Sequence, residues 1–100
     1  KGVQKDELLA LKNYKKALEL GEIDAAFFLG ELLSSGEQIS NDYLIALMWF
    51  KVFQLSGDMD VDLIIEFLEK KISLEDKLEA KEMAEKCVLS GYTLCDVRRL

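Results

Sequence analysis

The 100-residue chain has no histidine, no proline, only two cysteines and only six glycines. Without histidine it lacks both the usual general base and the commonest nitrogen ligand for metals. Two cysteines alone cannot complete the four-ligand shell of a structural zinc site. The sequence also lacks the glycine-rich motifs that cradle phosphates. These absences argue against catalysis, metal binding and cofactor binding, so we expect neither an enzyme nor a bound cofactor.

The scarcity of proline and glycine favours a chain that is almost entirely helical. Half of the residues are hydrophobic, which is enough to build a core. The longest apolar run, residues 43–50, is far shorter than the roughly 20 residues that a membrane-spanning helix needs. No signal peptide is recognisable at the N-terminus. We therefore predict a single all-α domain over residues 1–100 that does not insert into membranes.

The net charge of −6 is unevenly distributed along the chain. Residues 22–72 carry ten acidic residues against three lysines, whereas residues 1–21 carry five lysines against three acidic residues. Such an acidic chain repels phosphate backbones, so nucleic acid is not an expected partner. The acidic middle favours a basic or amphipathic protein or peptide. The alternative interpretation of these charges is an ordinary solvated helix surface.

The sequence repeats itself with a period of about 36 residues. Asp6, Ala10, Tyr14, Ala17 and Gly21 align with Asp42, Ala46, Phe50, Phe53 and Gly57, and a partial third copy continues through Ala80, Ala84, Cys87 and Gly91. Periods of this length are typical of solenoids, in which each repeat buries its apolar face against its neighbours.

Each period predicts a pair of helices. Asp42 stands where an N-cap belongs and Gly57 where a left-handed C-cap belongs. The predicted helices cover residues 5–20, 23–35, 41–56, 60–71 and 75–90, and a sixth begins near residue 92. The helix predicted over residues 41–56 is apolar almost all round, so it should lie in the middle of the stack with neighbours on several sides.

Residues 24–57 resemble a Sel-one-like repeat, a relative of the tetratricopeptide repeat. The family pattern runs from an alanine through a Leu-Gly pair, a hydrophobic residue and a glycine to a loop that ends in Asp, and then through an alanine and an aromatic pair to a closing glycine. The matching residues are, in that order, Ala25, Leu29, Gly30, Leu33, Gly36, Asp42, Ala46, Trp49, Phe50 and Gly57. The resemblance covers about residues 2–95. It is weaker in the next unit, where Ile65 and Glu66 replace the Leu-Gly pair and the following loop is shorter.

The resemblance implies a right-handed superhelical solenoid of antiparallel helix pairs, here a fragment of a longer repeat protein. Family members act as adaptors, often in bacteria, and bind protein or peptide partners on a concave face lined by the first helix of each pair. Carried over by position, that face comprises Asp24, Phe27, Glu31, Ser34, Asp60, Leu63, Phe67 and Lys70. The aromatic residues among them could equally be ordinary helix–helix core.

The resemblance therefore predicts a non-catalytic adaptor. The alternative is a structural spacer or a self-associating segment with no partner of its own, which could form a homodimer through exposed solenoid ends.

The two cysteines close the segment "CVLSGYTLC", which aligns with "ALELGEIDA" at 17–25 and "FQLSGDMDV" at 53–61. Cys87 and Cys95 thus replace a pair of packing residues that face each other across a turn between helices. Two interpretations stay open, a disulfide or two small buried thiols. Bacterial cysteine-rich members of the family place disulfides at this spacing. A disulfide would indicate a periplasmic or secreted protein, and free thiols a cytoplasmic one.

Overall fold

The computed structural model describes residues 6–36, 41–57 and 59–95. Five helices run in order along the chain: α1 Glu7–Glu19, α2 Asp24–Ser35, α3 Tyr43–Ser56, α4 Asp62–Glu69 and α5 Leu74–Leu89. These described ranges contain no β-strand. The predicted all-α class is therefore confirmed, and each of the five helices begins and ends within two residues of its predicted bounds.

Side-chain caps fix where three of the helices begin. The Leu9 amide donates to Asp6 Oδ1 at 3.0 Å, and the Ile45 amide donates to Asp42 Oδ1 at 3.1 Å. The hydroxyl of Ser73 caps α5 in the same way. Each cap supplies an acceptor to an amide that has no partner within its own helix. The prediction that Asp42 is an N-cap is confirmed.

Helices α1 and α5 end in the same C-cap geometry. Gly21 and Gly91 have φ angles of 96° and 68°, in the left-handed region that glycine adopts at low cost. In each case the amide after the glycine donates back to a carbonyl of the last helical turn, that of Ala17 at 3.0 Å or of Cys87 at 2.8 Å. This is the Schellman arrangement, which satisfies carbonyls left without helical partners.

The predicted left-handed C-cap at Gly57 is wrong. Gly57 is extended, with φ −106° and ψ −176°. Its amide donates to the Phe53 carbonyl at 2.6 Å and so closes the last turn of α3. A Cβ at this position would lie 2.9 Å from the ring of Phe53. The glycine is therefore needed for space beside an aromatic ring and not for a positive φ.

The helix predicted to begin near residue 92 is not formed over residues 92–95, and the rest of it lies outside the described residues. Tyr92 has a φ of 69°, which breaks the helical path. Ser90 then holds the segment in a turn, since its carbonyl accepts from the Thr93 hydroxyl and its own hydroxyl accepts from the Leu94 amide, both at 2.9 Å.

Helix α3 forms the centre of the core. Its buried residues are Leu44, Ile45, Ala46, Leu47, Met48, Trp49, Phe50, Val52 and Phe53. Helices α2, α4 and α5 all pack against α3, while α1 packs against α2. The predicted central position of this helix is therefore confirmed.

Helices α2 and α3 approach closely where Gly30 meets Phe50. A Cβ on Gly30 would lie 2.7 Å from Cε2 of Phe50, closer than real side chains come. The Phe27 ring contacts the same region, with its centroid 5.5 Å from that of Phe50 and 5.6 Å from that of Phe53. A residue without a side chain on one helix thus admits a large ring from the other.

We expect Gly30→Ala to destabilise the protein. Alanine favours the helix over glycine by about 1 kcal/mol, but overpacking against Phe50 costs about 1–3 kcal/mol. Urea unfolding followed by circular dichroism measures the net change. In a Phe50→Leu background, which removes the ring, the same substitution should be neutral or stabilising. Stabilisation in the wild-type background would contradict the close contact.

Candidate interaction surface

One face of α4 belongs to the core. Ile65 and Leu68 are buried, as is Val61 just before the helix. The positions of Ile65 and Leu68, three residues apart, place both side chains on the same side of the helix. This inner face packs against α3.

Two polar contacts fix the ends of α4 on α3. Gln54 Nε2 donates to Asp62 Oδ1 at 2.8 Å near the start of α4. Lys51 Nζ lies 3.4 Å from Glu69 Oε2 at its end. Both contacts are partly exposed and contribute little stability by themselves. Together with the buried face, however, they determine which side of α4 faces away from the core.

The outer face of α4 is apolar as well. Leu63 is 80% exposed and Phe67 is 58% exposed, and the two lie one helical turn apart. Ile64 beside them is also exposed. We call Leu63, Ile64 and Phe67 the α4 outer face. Leu63 and Phe67 were predicted from the sequence, but Ile64 was not. The sequence places Ile64 directly after Leu63 in a helix of eight residues, and that neighbouring position could have indicated its exposure.

Carboxylates surround the α4 outer face. Asp60, Asp62 and Glu66 are exposed, and within the described ranges none of them has a lysine or arginine at salt-bridge distance. Asp60 Oδ1 instead accepts from the Asp62 amide at 2.9 Å.

The face of the Phe67 ring already accepts a cation. Lys71 Nζ lies 4.9 Å from the ring centroid, which is cation–π distance. The α4 outer face therefore combines exposed apolar area with an aromatic ring suited to a cation, and the negative charges around it have no ion-pair partner among residues 6–36, 41–57 and 59–95.

The predicted site residues on α2 have mixed environments. Asp24 and Glu31 are exposed. Ser34 is partly buried, and its hydroxyl donates to the Gly30 carbonyl at 2.9 Å. Phe27 is partly buried and lies among the rings that join α2 to α3. These contacts give Phe27 a structural role whether or not it also touches a partner.

The structure gives no direct link between the two predicted halves of the site. Both α2 and α4 pack against α3, and Lys70, just after α4, is exposed. In the described segments, no hydrogen bond, ion pair or ring contact joins Asp24, Phe27, Glu31 or Ser34 to Asp60, Leu63, Phe67 or Lys70. A shared concave face made of both sets stays a prediction.

The two cysteines lie at bonding distance. Their sulfur atoms are 2.00 Å apart and their Cα atoms 4.1 Å apart, and both side chains are buried. Of the two interpretations that the sequence left open, the structure contains the disulfide. The aligned segments 17–25 and 87–95 have the same backbone geometry up to the glycine. In both, the carbonyl of the first residue, Ala17 or Cys87, accepts from the amide after the glycine. They diverge after it, where Tyr92 takes a positive φ.

The disulfide holds residues 92–95 over the side of α3 that carries Trp49. A small cavity of about 140 Å³ is lined there by Lys15, Leu18, Glu19, Trp49, Tyr92, Thr93 and Cys95. The Tyr92 hydroxyl donates to Ser56 Oγ at 2.9 Å. Trp49 is only 1% exposed, and its indole N–H is buried without a hydrogen-bond partner within the described ranges. No pattern in the sequence predicted this arrangement.

The chain shows no match to any protein-family model, curated protein or solved structure. The described residues include no cluster of three or more side chains able to hold a metal ion. None of the described helices has the length and apolar character needed to cross a membrane.

Reduction of the disulfide should uncover Trp49. Residues 92–95 would lose the cross-link that holds Cys95 to α5, and the free energy of unfolding should fall by about 2–3 kcal/mol because the unfolded chain is no longer constrained. Trp49 is the only tryptophan, so its fluorescence reports directly on this region. We expect a red-shifted emission maximum after treatment with a dithiol.

The Cys87→Ser/Cys95→Ser variant serves as the control. It should show the red-shifted emission before any dithiol is added and should not change afterwards. An emission maximum that is the same in the oxidised protein, the reduced protein and this variant would show that the disulfide does not control the cover over Trp49.

Proposed function

We propose that this chain is a segment of a Sel-one-like helical repeat solenoid and acts as a non-catalytic protein-interaction module. Its partner is a basic, amphipathic segment of another protein, which docks on the α4 outer face. The observation that carries the proposal is the combination, on α4, of exposed apolar side chains with carboxylates that have no cationic partner in the described part of the chain.

Two features support the repeat assignment. Asp6 and Asp42, thirty-six positions apart in the sequence, cap α1 and α3 with the same hydrogen bond. Gly30, from the Leu-Gly pair of the pattern, meets Phe50, from its aromatic pair, at the α2–α3 contact. The repeated cap is expected if the sequence period is a structural period, and the Gly30–Phe50 contact is expected if the glycine and aromatic positions of the pattern pack against each other.

The chemistry of α4 determines the class of partner. Fully burying a leucine or phenylalanine side chain contributes about 1.5–3 kcal/mol, so Leu63 and Phe67 can anchor a segment with matching apolar residues. The surrounding carboxylates attract lysine and arginine, accelerate association and disfavour acidic competitors. Asp24 and Glu31, exposed on α2, would extend the acidic surface if the partner reaches that helix.

The unit that follows residues 24–57 departs from the repeat pattern in α4, and this departure supports α4 as the docking helix. Glu66 stands where the pattern has glycine and is exposed, whereas the corresponding Gly30 is buried against Phe50. A carboxylate cannot replace a glycine at such a contact without a large desolvation cost. The outer side of α4 is therefore free for another molecule.

The Cys87–Cys95 disulfide supports placement in an oxidising compartment. Disulfides persist in secreted and periplasmic proteins and are rare in a reducing cytosol. We therefore include a periplasmic or secreted location in the proposal.

The Leu63→Ser/Phe67→Ser variant tests the docking surface. Because both side chains point away from the core, the variant should keep its helical circular dichroism and melting temperature. The probe is a synthetic helical peptide of leucine and lysine, and fluorescence anisotropy measures its binding. We expect at least about tenfold weaker binding than to the wild-type chain, in line with the loss of two anchors.

Three controls accompany this experiment. A leucine and glutamate peptide should not bind. Leu89→Ser, at an exposed position on α5, should bind the leucine and lysine peptide normally.

The third control measures stability. Phe27→Ala should lower the free energy of unfolding by about 2 kcal/mol or more, as expected for a ring in a helix–helix contact. Equal binding of both peptides, or undiminished binding to the double variant, would refute the proposed surface.

A further inference from the structure

We infer that the chain itself carries a segment suited to the α4 outer face, namely the exposed side of α1, so that two copies associate through an α1–α4 contact. This inference rests on the proposed function, because it names a second copy of the chain as one partner of the same surface. It concerns the outer sides of two helices whose inner sides are already packed, α1 against α2 and α4 against α3.

The exposed side of α1 is amphipathic. Leu8 is 67% exposed at its start and Leu20, its C-cap, is 74% exposed. Lys12 and Lys16 are exposed between them. Because these four residues follow one another at intervals of four, they form a single stripe along the helix. This stripe, with apolar residues at both ends and positive charge in the middle, has the composition that α4 requires of a partner.

The charges of Lys12 and Lys16 are available for an intermolecular contact. Among the described residues, no carboxylate lies within salt-bridge distance of Lys12 or Lys16. Residues 1–21 carry a net charge of +2, with five lysines and three acidic residues. Residues 22–72 carry −7, with ten acidic residues and three lysines. Opposite net charges on these two parts favour an approach of α1 from one copy towards α4 of another.

The spacing of the charges also matches. Lys12 and Lys16 are four positions apart, as are Asp62 and Glu66, and four helical residues span about 6 Å. Two helices lying side by side can therefore bring both pairs together at once. Phe67 would then lie within about 5 Å along the helix axis of Leu8 in an antiparallel pairing, or of Leu20 in a parallel one. Leu63 would lie beside the hydrocarbon stems of Lys12 and Lys16.

The contact must join different molecules. Within one chain, α1 packs on α2 and α4 packs on α3, and among the residues the structure describes no ion pair joins Lys12 or Lys16 to α4. Two reciprocal α1–α4 contacts would close a symmetric dimer, whereas single contacts would leave free ends and allow longer chains.

Sedimentation velocity of the oxidised chain at several concentrations tests this contact. At low salt we expect the average sedimentation coefficient to rise with concentration. In about 1 M salt the rise should be abolished, because charges are screened beyond about 3 Å. Lys12→Glu/Lys16→Glu and Asp62→Lys/Glu66→Lys should each sediment as monomers at low salt. The variant that combines all four changes should associate again, since it restores opposite charges in exchanged positions.

The matched control is Glu82→Lys/Glu85→Lys, which reverses two charges that are exposed on α5 and should associate like the wild-type chain. Wild-type chain that stays monomeric at every concentration and salt level would overturn the inference, and so would a four-fold variant that stays monomeric. Binding of the leucine and lysine peptide to Lys12→Glu/Lys16→Glu separates the two proposals, because this variant keeps α4 intact. A wild-type chain that binds the peptide but stays monomeric would overturn only the α1–α4 contact.

Discussion

Burial of α3 on almost every side is the constraint on which the rest of the structure depends. A helix that carries Leu47, Met48, Trp49 and Phe50 in succession has no polar face to turn towards water. It is stable only if other helices cover it from several directions. Helices α2, α4 and α5 provide that cover, and the side of α4 that does not face α3 is left for other contacts.

The sequence was sufficient to predict the helices, because their determinants are local. Apolar periodicity and the N-cap residue Asp42 predicted where α3 begins, and the structure agrees within two residues. The backbone conformation of the glycines that follow the helices was harder to predict. Gly21, Gly57 and Gly91 stand in equivalent sequence frames, yet only Gly21 and Gly91 adopt positive φ. The Phe53 ring packs beside Gly57, whereas the aligned Ala17 and Cys87 carry no ring. The frame shows this substitution, but the position of the ring depends on contacts with other helices that the frame does not contain.

The exposure of the predicted site residues could be inferred from the sequence only in part. Position within the repeat identified Leu63 and Phe67, and both prove to be exposed. It identified Phe27 by the same rule, although Phe27 packs among the rings between α2 and α3. An aromatic residue on a helix can face either way, and the distance between neighbouring helices decides which. At Phe27 that distance is short because Gly30 admits Phe50. No comparable glycine exists in α4, where Glu66 occupies the corresponding position.

We propose that one face of α4 packs in the core while the other binds a partner. A methyl-resolved NMR titration of the oxidised chain with the leucine and lysine peptide separates the two faces. We expect shifts for the methyl groups of Leu63 and Ile64 and none for those of Leu68 in α4 and Leu47 in α3, which are buried. Shifts that spread through the buried methyl groups, or that occur only far from α4, would refute this division.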